Sequence, residues 1–522
     1  MKIKGLAILF FLLLTPVLFS QTSAIKKPEI EDADEHFKHG NYLMAIPIYK
    51  AELKKEPKST KIKYRLGLCY LHTRLSRQEA LTYLEDAAKD PKVEEEIWIN
   101  LGRAYHLNNR IEDAIATFEK YKKLKPKETT EVDRYLSQCK NALAFMAKPT
   151  DVTFQNLGKS INSDEPDYYP FINKDETFLV FTSRRKENFN GKKVEMDGYR
   201  SSDIYQSNLE NGTWSAARNV GRGVNGNLDE QVVGLRSDGM EMYVYLDHID
   251  QFGDIYVASR RDATADFTKP KICDPVINEK IETSGCLSED GSILFFARRE
   301  KMSDNSDLYT CKKLPNGKWA MPQKLPEIVN SKYSEDLPYL SYDGNTLYFA
   351  SDGHNTMGGY DLFKTTWDQK TNTYSKPVNL GYPINSTDDD KSICVTQDNR
   401  LAYVSSFRPN GFGDLDIYRI KFNNTEPVSM IYTGKIFMGD TIASHQPTNY
   451  ALSIIVTDES NYEYTFIPNS QTGRFVMSLP AGKYKATIQA EGFSDYTEDL
   501  IISDMGMVSE EKNKNFVLKK KK

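Results

Sequence analysis

Pro338-Tyr339-Leu340-Ser341-Tyr342-Asp343-Gly344, followed by Leu347-Tyr348-Phe349-Ala350-Ser351 and then Asp361-Leu362-Phe363, carries a hairpin signal. Asp-Gly between two alternating apolar runs predicts a tight turn, because such a turn needs a residue that tolerates positive φ. The pattern recurs. Equivalent turns fall at Asp175-Glu176, Asp238-Gly239, Asp290-Gly291 and Asp398-Asn399. A strand-like run follows each, as in Ile293-Leu294-Phe295-Phe296-Ala297, and then Asp-[Ile/Leu]-[Tyr/Phe] at Asp203, Asp254, Asp307, Asp361 and Asp416. Each unit opens on Ile/Val-Asn, at Asn162, Asn225, Asn278, Asn330 and Asn385. Trp214, Phe267, Trp319 and Tyr374 close the first four.

Four short strands repeated five times predict a β-propeller over residues 150–422. Five blades are expected, with six as the alternative. The last copy supplies only three strands. Val152-Thr153-Phe154-Gln155-Asn156-Leu157-Gly158 precedes Asn162 as Val378-Asn379-Leu380-Gly381 precedes Asn385. That amino-terminal segment is therefore expected to complete the last blade and remove two exposed edges. The units resemble the WD40-like, TolB-type propeller repeat, whose core is Pro-x-Leu-Ser-x-Asp-Gly followed by a strand.

One position is acidic in all five copies. Asp167, Glu230, Glu282, Glu335 and Asp390 each stand eight residues before the turn Asp, at the start of the innermost strand. Facing a central channel, five carboxylates form a ring able to hold a cation or attract a Lys- or Arg-bearing peptide. The structural alternative is that each accepts backbone N–H bonds from a neighbouring blade. The Asp of Asp-Ile-Tyr is read as a turn-fixing group.

Upstream, residues 28–147 have apolar positions at three- and four-residue spacing, which predicts helices. Pro57, Pro91 and Pro126 close successive units. The third unit carries Trp98, Leu101, Gly102, Tyr105, Ala114, Phe118 and Pro126, which resembles the tetratricopeptide repeat. Gly102 and Ala114 are expected to let paired helices approach, with Tyr105 and Phe118 filling the space between stacked pairs. The first unit has a degenerate leading helix, and residues 128–146 are expected to cap the stack. Lys63, Arg74, Asn100, Arg103 and Asn108 are the candidate residues of a concave binding groove.

Downstream, residues 428–518 contain Gly434-Lys435-Ile436, Leu452 to Val456, Gly473-Arg474-Phe475-Val476 and Pro480-Ala481-Gly482-Lys483-Tyr484. They resemble the carboxypeptidase regulatory-like domain, a small transthyretin-like β-sandwich that is not catalytic. The Pro-x-Gly-x-Tyr turn is expected to feed an edge strand.

Lys2 and Lys4 precede an apolar run from Leu6 to Phe19, a signal-peptide layout over residues 1–20. No later run approaches transmembrane length, so a periplasmic mature chain without membrane insertion is expected, with peripheral attachment through a partner left open. Of 522 residues, 39% are hydrophobic and 27% charged, which supports packed cores and argues against wholesale disorder. A net charge of −5 removes the electrostatic basis for nucleic-acid binding. Six Cys are too few for a disulfide framework. The sequence has no Gly-x-Ser-x-Gly, no His-Glu-x-x-His, no Cys-x-x-Cys and no phosphate-binding Gly loop, so no catalytic residue, metal or cofactor is assigned.

The order of signal peptide, tetratricopeptide repeats, TolB-like propeller and regulatory-like sandwich resembles periplasmic proteins of Bacteroidetes labelled OmpA family. The resemblance implies a non-enzymatic scaffold whose partners are envelope proteins, including secretion-system or outer-membrane components. The family's OmpA-like domain and lipoprotein Cys have no counterpart in this sequence. The alternative is a ligand-binding or lyase-like propeller acting on glycans or peptides.

Overall fold

The computed structural model describes residues 32–521 apart from 128, 193, 196, 249–250, 424–428, 440–449, 481 and 503–510. The expected signal peptide lies outside the described residues. Seven helices come first: α1 (Ala33–Lys38), α2 (Tyr42–Lys55), α3 (Thr60–Leu71), α4 (Arg77–Ala87), α5 (Ile97–Leu107), α6 (Ile111–Leu124) and α7 (Thr130–Met146). Their starts are local chemistry. The side chains of Asp32, Asn41, Ser59 and Ser76 each accept a hydrogen bond from an otherwise unpaired N–H of the first turn. α2 and α6 stop at Glu56 and Lys125, the residues before Pro57 and Pro126, where proline disfavours helical backbone.

Each helix packs on the next. A Cβ on Gly102 would lie 2.5 Å from the Phe118 ring, and one on Gly67 would lie 2.6 Å from Leu84. Glycine at these two sites is a packing requirement. Phe118 is fully buried and stacks on Tyr135 of α7 at 5.2 Å, so α7 covers the end of the stack.

Five antiparallel sheets follow. The first holds Asp167–Ile172, Phe178–Ser183, Asp203–Glu210, Thr213–Trp214 and Arg218–Asn219. The second holds Asp229–Leu235, Glu241–His248, Gln251–Ser259 and Lys271–Ile272. The third runs Ile281–Leu287, Ile293–Arg299, Asp307–Lys312 and Gln323–Lys324. The fourth runs Glu335–Leu340, Thr346–Ser351 and Asp361–Asp368, joined by Thr373–Tyr374 and Val378–Asn379. The fifth has Ile393–Val395, Leu401–Ser406 and Asp416–Phe422, and takes its fourth strand, Val152–Asn156, from the other end of the region. That strand pairs in register from Val152↔Phe422 to Asn156↔Tyr418.

All five turns between first and second strands have positive φ, at Glu176 (53°), Gly239 (72°), Gly291 (69°), Gly344 (70°) and Asn399 (56°). The first strands pack side to side from sheet one to sheet four, and that of sheet one also packs against that of sheet five. The sheets thus form a ring around a hydrophobic core that includes Phe181, Phe295, Phe349, Trp367 and Tyr403, with a smaller cluster around Tyr243, Ile255, Leu294 and Phe296 between sheets two and three.

The repeated Asn closes the ring. Asn162 accepts from Ile417 N at 2.8 Å and donates to Ile417 O at 3.0 Å, tying the entry of sheet one to sheet five. Asn225 does the same to Ile204, Asn278 to Ile255, Asn330 to Leu308 and Asn385 to Leu362. Each unit's opening Asn therefore grips the third strand of the sheet before it.

Residues 429–518 form two further sheets over one core containing Ile436, Ile454, Met477 and Ile488. Ser429–Met438 lies between Arg474–Pro480 and the parallel segments Glu511–Asn513 and Phe516–Leu518. The strand Gly482–Ala490, expected at an edge, is interior. It pairs with Leu452–Asp458 on one side and Tyr496–Ile502 on the other, because the chain turns at Gly492 (φ 82°) and adds a strand outside it.

Candidate functional site: a helix–ring junction and a central cavity

The helical stack is docked on the ring through charge. Arg74 follows α3 and Arg77 opens α4, and both reach Asp388 in the loop before the fifth sheet. Arg74 Nε donates to Asp388 Oδ1 at 3.2 Å, and Arg77 Nε and Nη2 both donate to Oδ2, the first at 3.0 Å. Arg74 also reaches Asp389 Oδ2 at 3.4 Å and Asp414 Oδ1 at 3.6 Å. Arg77 Nη1 donates to Thr73 O at 2.8 Å and Leu71 O at 3.3 Å, which satisfies carbonyls at and just past the end of α3. Burial alone would raise the Asp388 carboxyl. The guanidiniums of Arg74 and Arg77 outweigh it and hold the group below the usual aspartate range.

α7 adds a further ion pair and neutral hydrogen bonds. Arg134 meets Asp352 at 2.9 Å and stacks over Tyr333 at 4.3 Å. Gln138 donates to Gly358 O and Asn141 to Thr356 O. Met357, on that same ring loop, is fully buried in the helical core beside Phe118 and Cys139. A cavity of about 460 Å³ remains at the junction, lined by Arg74, Arg103, His106, Tyr135, Tyr199 and Asp388 among others. Burial pushes His106 down to about 4, so it is neutral at pH 7.

The sequence-derived groove residues divide between two environments. Arg74 is not in an open groove, because it is consumed by the ring's aspartates. Asn108 is likewise committed, donating to Arg77 O and Ala104 O. Lys63 forms a 2.6 Å ion pair with Asp86. Asn100 donates to Tyr64 Oη at 3.1 Å and accepts from Arg103 at 3.3 Å, while Arg103 also lies 5.9 Å from the Tyr135 ring.

The five acids are buried, and they point away from the channel. Asp167 accepts from Ser163 N, Ser163 Oγ and Arg185. Glu335 accepts from Ser331 N, Ser331 Oγ and Ser351 Oγ, and Asp390 from the equivalent Ser386 and Ser406. Glu282 takes Lys280 N and pairs with the buried Arg298 at 2.6 Å. Glu230 has an oxygen, Oε2, with no partner. These donors belong to the acid's own unit. Neither a solvent-facing ring nor a tie to a neighbouring sheet describes them; each acid braces the loop that enters its own sheet. Burial raises Glu230 to about 8, and Glu282, Glu335 and Asp390 to about 7.

The Asp of Asp-Ile-Tyr fixes local turns in three sheets. Asp203, Asp361 and Asp416 each accept a loop N–H and an Asn side chain, from Asn219, Asn379 and Asn156 respectively. All six Cys are free thiols.

A cavity of about 270 Å³ lies between the sheets, lined by residues of the first four and of the segment that enters the fifth: Tyr169, Gln231, Thr283, Arg299, Asp336, Tyr360 and Lys391 among them. Four of these stand one residue after an acid. Strand alternation turns the acid inward to its sheet and its neighbour toward the channel. Tyr169 and Lys391 also line a second cavity of similar size, which reaches Arg74 and Asp389 at the junction. Among the described residues no cluster of three His, Cys, Asp or Glu side chains is placed to hold a metal, and no described helix is long and apolar enough to cross a membrane.

The architecture is a tetratricopeptide-type helical stack on a β-rich ring similar to TolB-type propellers. A family model described as tetratricopeptide repeat matches residues 31–76 and 76–129. No curated relative matches the chain by sequence. Among solved structures it is similar to TolB from Acinetobacter baumannii, at 15% identity and TM-score 0.32, covering 57% of this chain and 71% of that one. A TolB from Agrobacterium tumefaciens gives 14% and 0.28 over 52% and 98%, and a glycoside hydrolase gives 9% and 0.37 over 55% and 95%.

Proposed function

We propose that this chain is a non-enzymatic periplasmic scaffold that joins protein partners in envelope assembly or type IX protein secretion. The supporting observation is the junction: tetratricopeptide repeats, a module used for protein contact, are fixed by half-buried ion pairs to a second large surface. Such rigidity lets one partner span both modules without an ordering cost. In this reading the five sheets are the blades of a five-bladed WD40-like, TolB-type propeller. The unit at 429–518 is a transthyretin-like regulatory sandwich, and the whole chain resembles PorE of the type IX secretion system. Partners are secretion-system or outer-membrane components, met in the periplasm after signal-peptide cleavage.

The part of the groove around Lys63, Asn100 and Arg103 is the proposed partner contact. Tagged full-length protein should capture a discrete partner from envelope fractions. The pair Lys63→Glu and Arg103→Glu should weaken that capture with little change in melting temperature. Undiminished capture would move the contact to the ring or the sandwich. The alternative, a ligand-binding or lyase-like propeller acting on glycans or peptides, draws support from the central cavity. Turnover of a glycan or peptide in a hydrolysis and elimination screen would favour it over the scaffold.

A further inference from the structure

The central cavity carries an electrostatic signature opposite to the one its acidic repeat suggests. Arg299 and Lys391 both line it. The Arg299 side chain makes no hydrogen bond or ion pair among the described residues, and its Nε is buried without a partner. Lys391 meets no carboxylate within ion-pair distance among those residues; its ammonium sits 4.4 Å from the centre of the Tyr360 ring. The carboxylate that lines the cavity, Asp336, is committed through Oδ1 to Thr283 Oγ1 at 2.9 Å, Ser284 Oγ at 2.7 Å and Leu337 N at 2.7 Å. Two cations therefore face one fixed anion. A buried guanidinium nitrogen without an acceptor is costly, and the group that satisfies it best is a carboxylate.

The backbone supplies a second, independent sign. Tyr169 and Leu337, both lining the cavity, are held at φ 55° and 49°. Bulky residues rarely adopt that region, and such strain persists where the surroundings over-determine it, commonly at ligand sites. Both sit at the bulge that interrupts the first strand of their sheet. The mouth is open to solvent at Met302, which is 59% exposed.

We propose that this cavity binds a small carboxylate-bearing sugar. Arg299 and Lys391 take the carboxylate, Gln231, Thr283 and Asp336 offer partners for hydroxyls, and Tyr169 and Tyr360 provide flat walls for the ring. About 270 Å³ suits one sugar unit and is small for a folded peptide. The proposal goes beyond the scaffold reading and stands whether or not a protein partner is found.

Titration calorimetry on the full-length mature protein tests it with four probes: glucuronate, glucose, acetyl-alanyl-alanine and lysine amide. Glucuronate should bind, with glucose and lysine amide giving no measurable heat. Arg299→Gln and Lys391→Gln should each weaken glucuronate roughly tenfold, the scale of a lost charge-assisted contact. Lys313→Gln, on the outer rim, should change nothing. Melting temperatures should hold in both cavity variants, since neither cation has an ion-pair partner to lose; if Arg299→Gln fails to fold, Lys391→Gln decides alone. Several results would overturn the proposal: no glucuronate binding at millimolar concentration, equal binding of glucose, preference for the peptide carboxylate or the cation, or unaltered affinity in the folded variants.

Discussion

Glu230 and Glu282 hold the same place in consecutive sheets, yet their surroundings differ, and substitution to Gln separates them. Glu282 is fully buried against Arg298, which is itself 6% exposed. Glu282→Gln leaves that guanidinium with Glu279, an exposed carboxylate at 3.3 Å, as its remaining counter-charge, a loss of up to about 3 kcal/mol on the scale of broken buried pairs. Chemical denaturation should show a lowered midpoint with an unchanged slope. Glu230 has no cation beside it and an unpartnered oxygen. Burial raises its carboxyl to about 8 when folded, against about 4.3 in an exposed glutamate. Between those values the unfolded chain releases a proton that the folded chain keeps. Its effect on stability is therefore most favourable below about pH 4.3 and declines as pH rises towards 8. Glu230→Gln should melt higher than the parent at pH 8 and show a shallower fall from pH 5 to pH 8. Parallel pH profiles for the two proteins would contradict the assignment.

At the scale of elements, one strand and one side chain stand out in closing the ring, beside the Tyr403–Glu176 hydrogen bond between sheets five and one. Val152–Asn156 completes the fifth sheet, and Asn162 ties that sheet to the first. Asn162→Ala leaves the N–H and carbonyl of buried Ile417 without these partners, which costs about 2 kcal/mol. Amide exchange should speed up along Asp416–Phe422 first. Deleting residues 152–158 should lower the melting temperature of the ring by many degrees, whereas a shift within a degree or two would mean the fifth sheet stands without it. The strands and turns were legible in sequence because their causes are local: Asp-Gly at a positive-φ turn, alternation on either side, Asn-Leu-Gly before Asn162 and Asn385. The direction of the acids was not. Asp167, Glu230, Glu282, Glu335 and Asp390 look like a channel ring until the strand phase is known. One signal was available. A position acidic in every copy serves what every sheet shares, whereas the next position varies through Tyr168, Gln231, Thr283, Asp336 and Lys391, as a site-forming position does.

For the whole molecule, the junction decides whether the chain acts as one body or as modules on a string. No local pattern marks it in the sequence, since Arg74 and Asp388 lie 314 residues apart and each resembles an ordinary surface charge. Only the fold brings them together, at side-chain exposures of 23% and 14%. Removing both arginines strands Asp388 beside Asp389 and Asp414 and takes away the attraction that holds α3 and α4 to the ring. The loop carrying Met357 then remains as the apolar anchor under α5 to α7. Small-angle X-ray scattering of the protein, compared with the Arg74→Ala and Arg77→Ala double variant, tests this most directly. The account predicts that the parent scatters as a particle with the helical stack against the ring, and that the double variant has a larger radius of gyration with unchanged secondary structure. A parent whose scattering already requires separated helical and ring bodies, or a double variant with an identical curve, would contradict the docked arrangement.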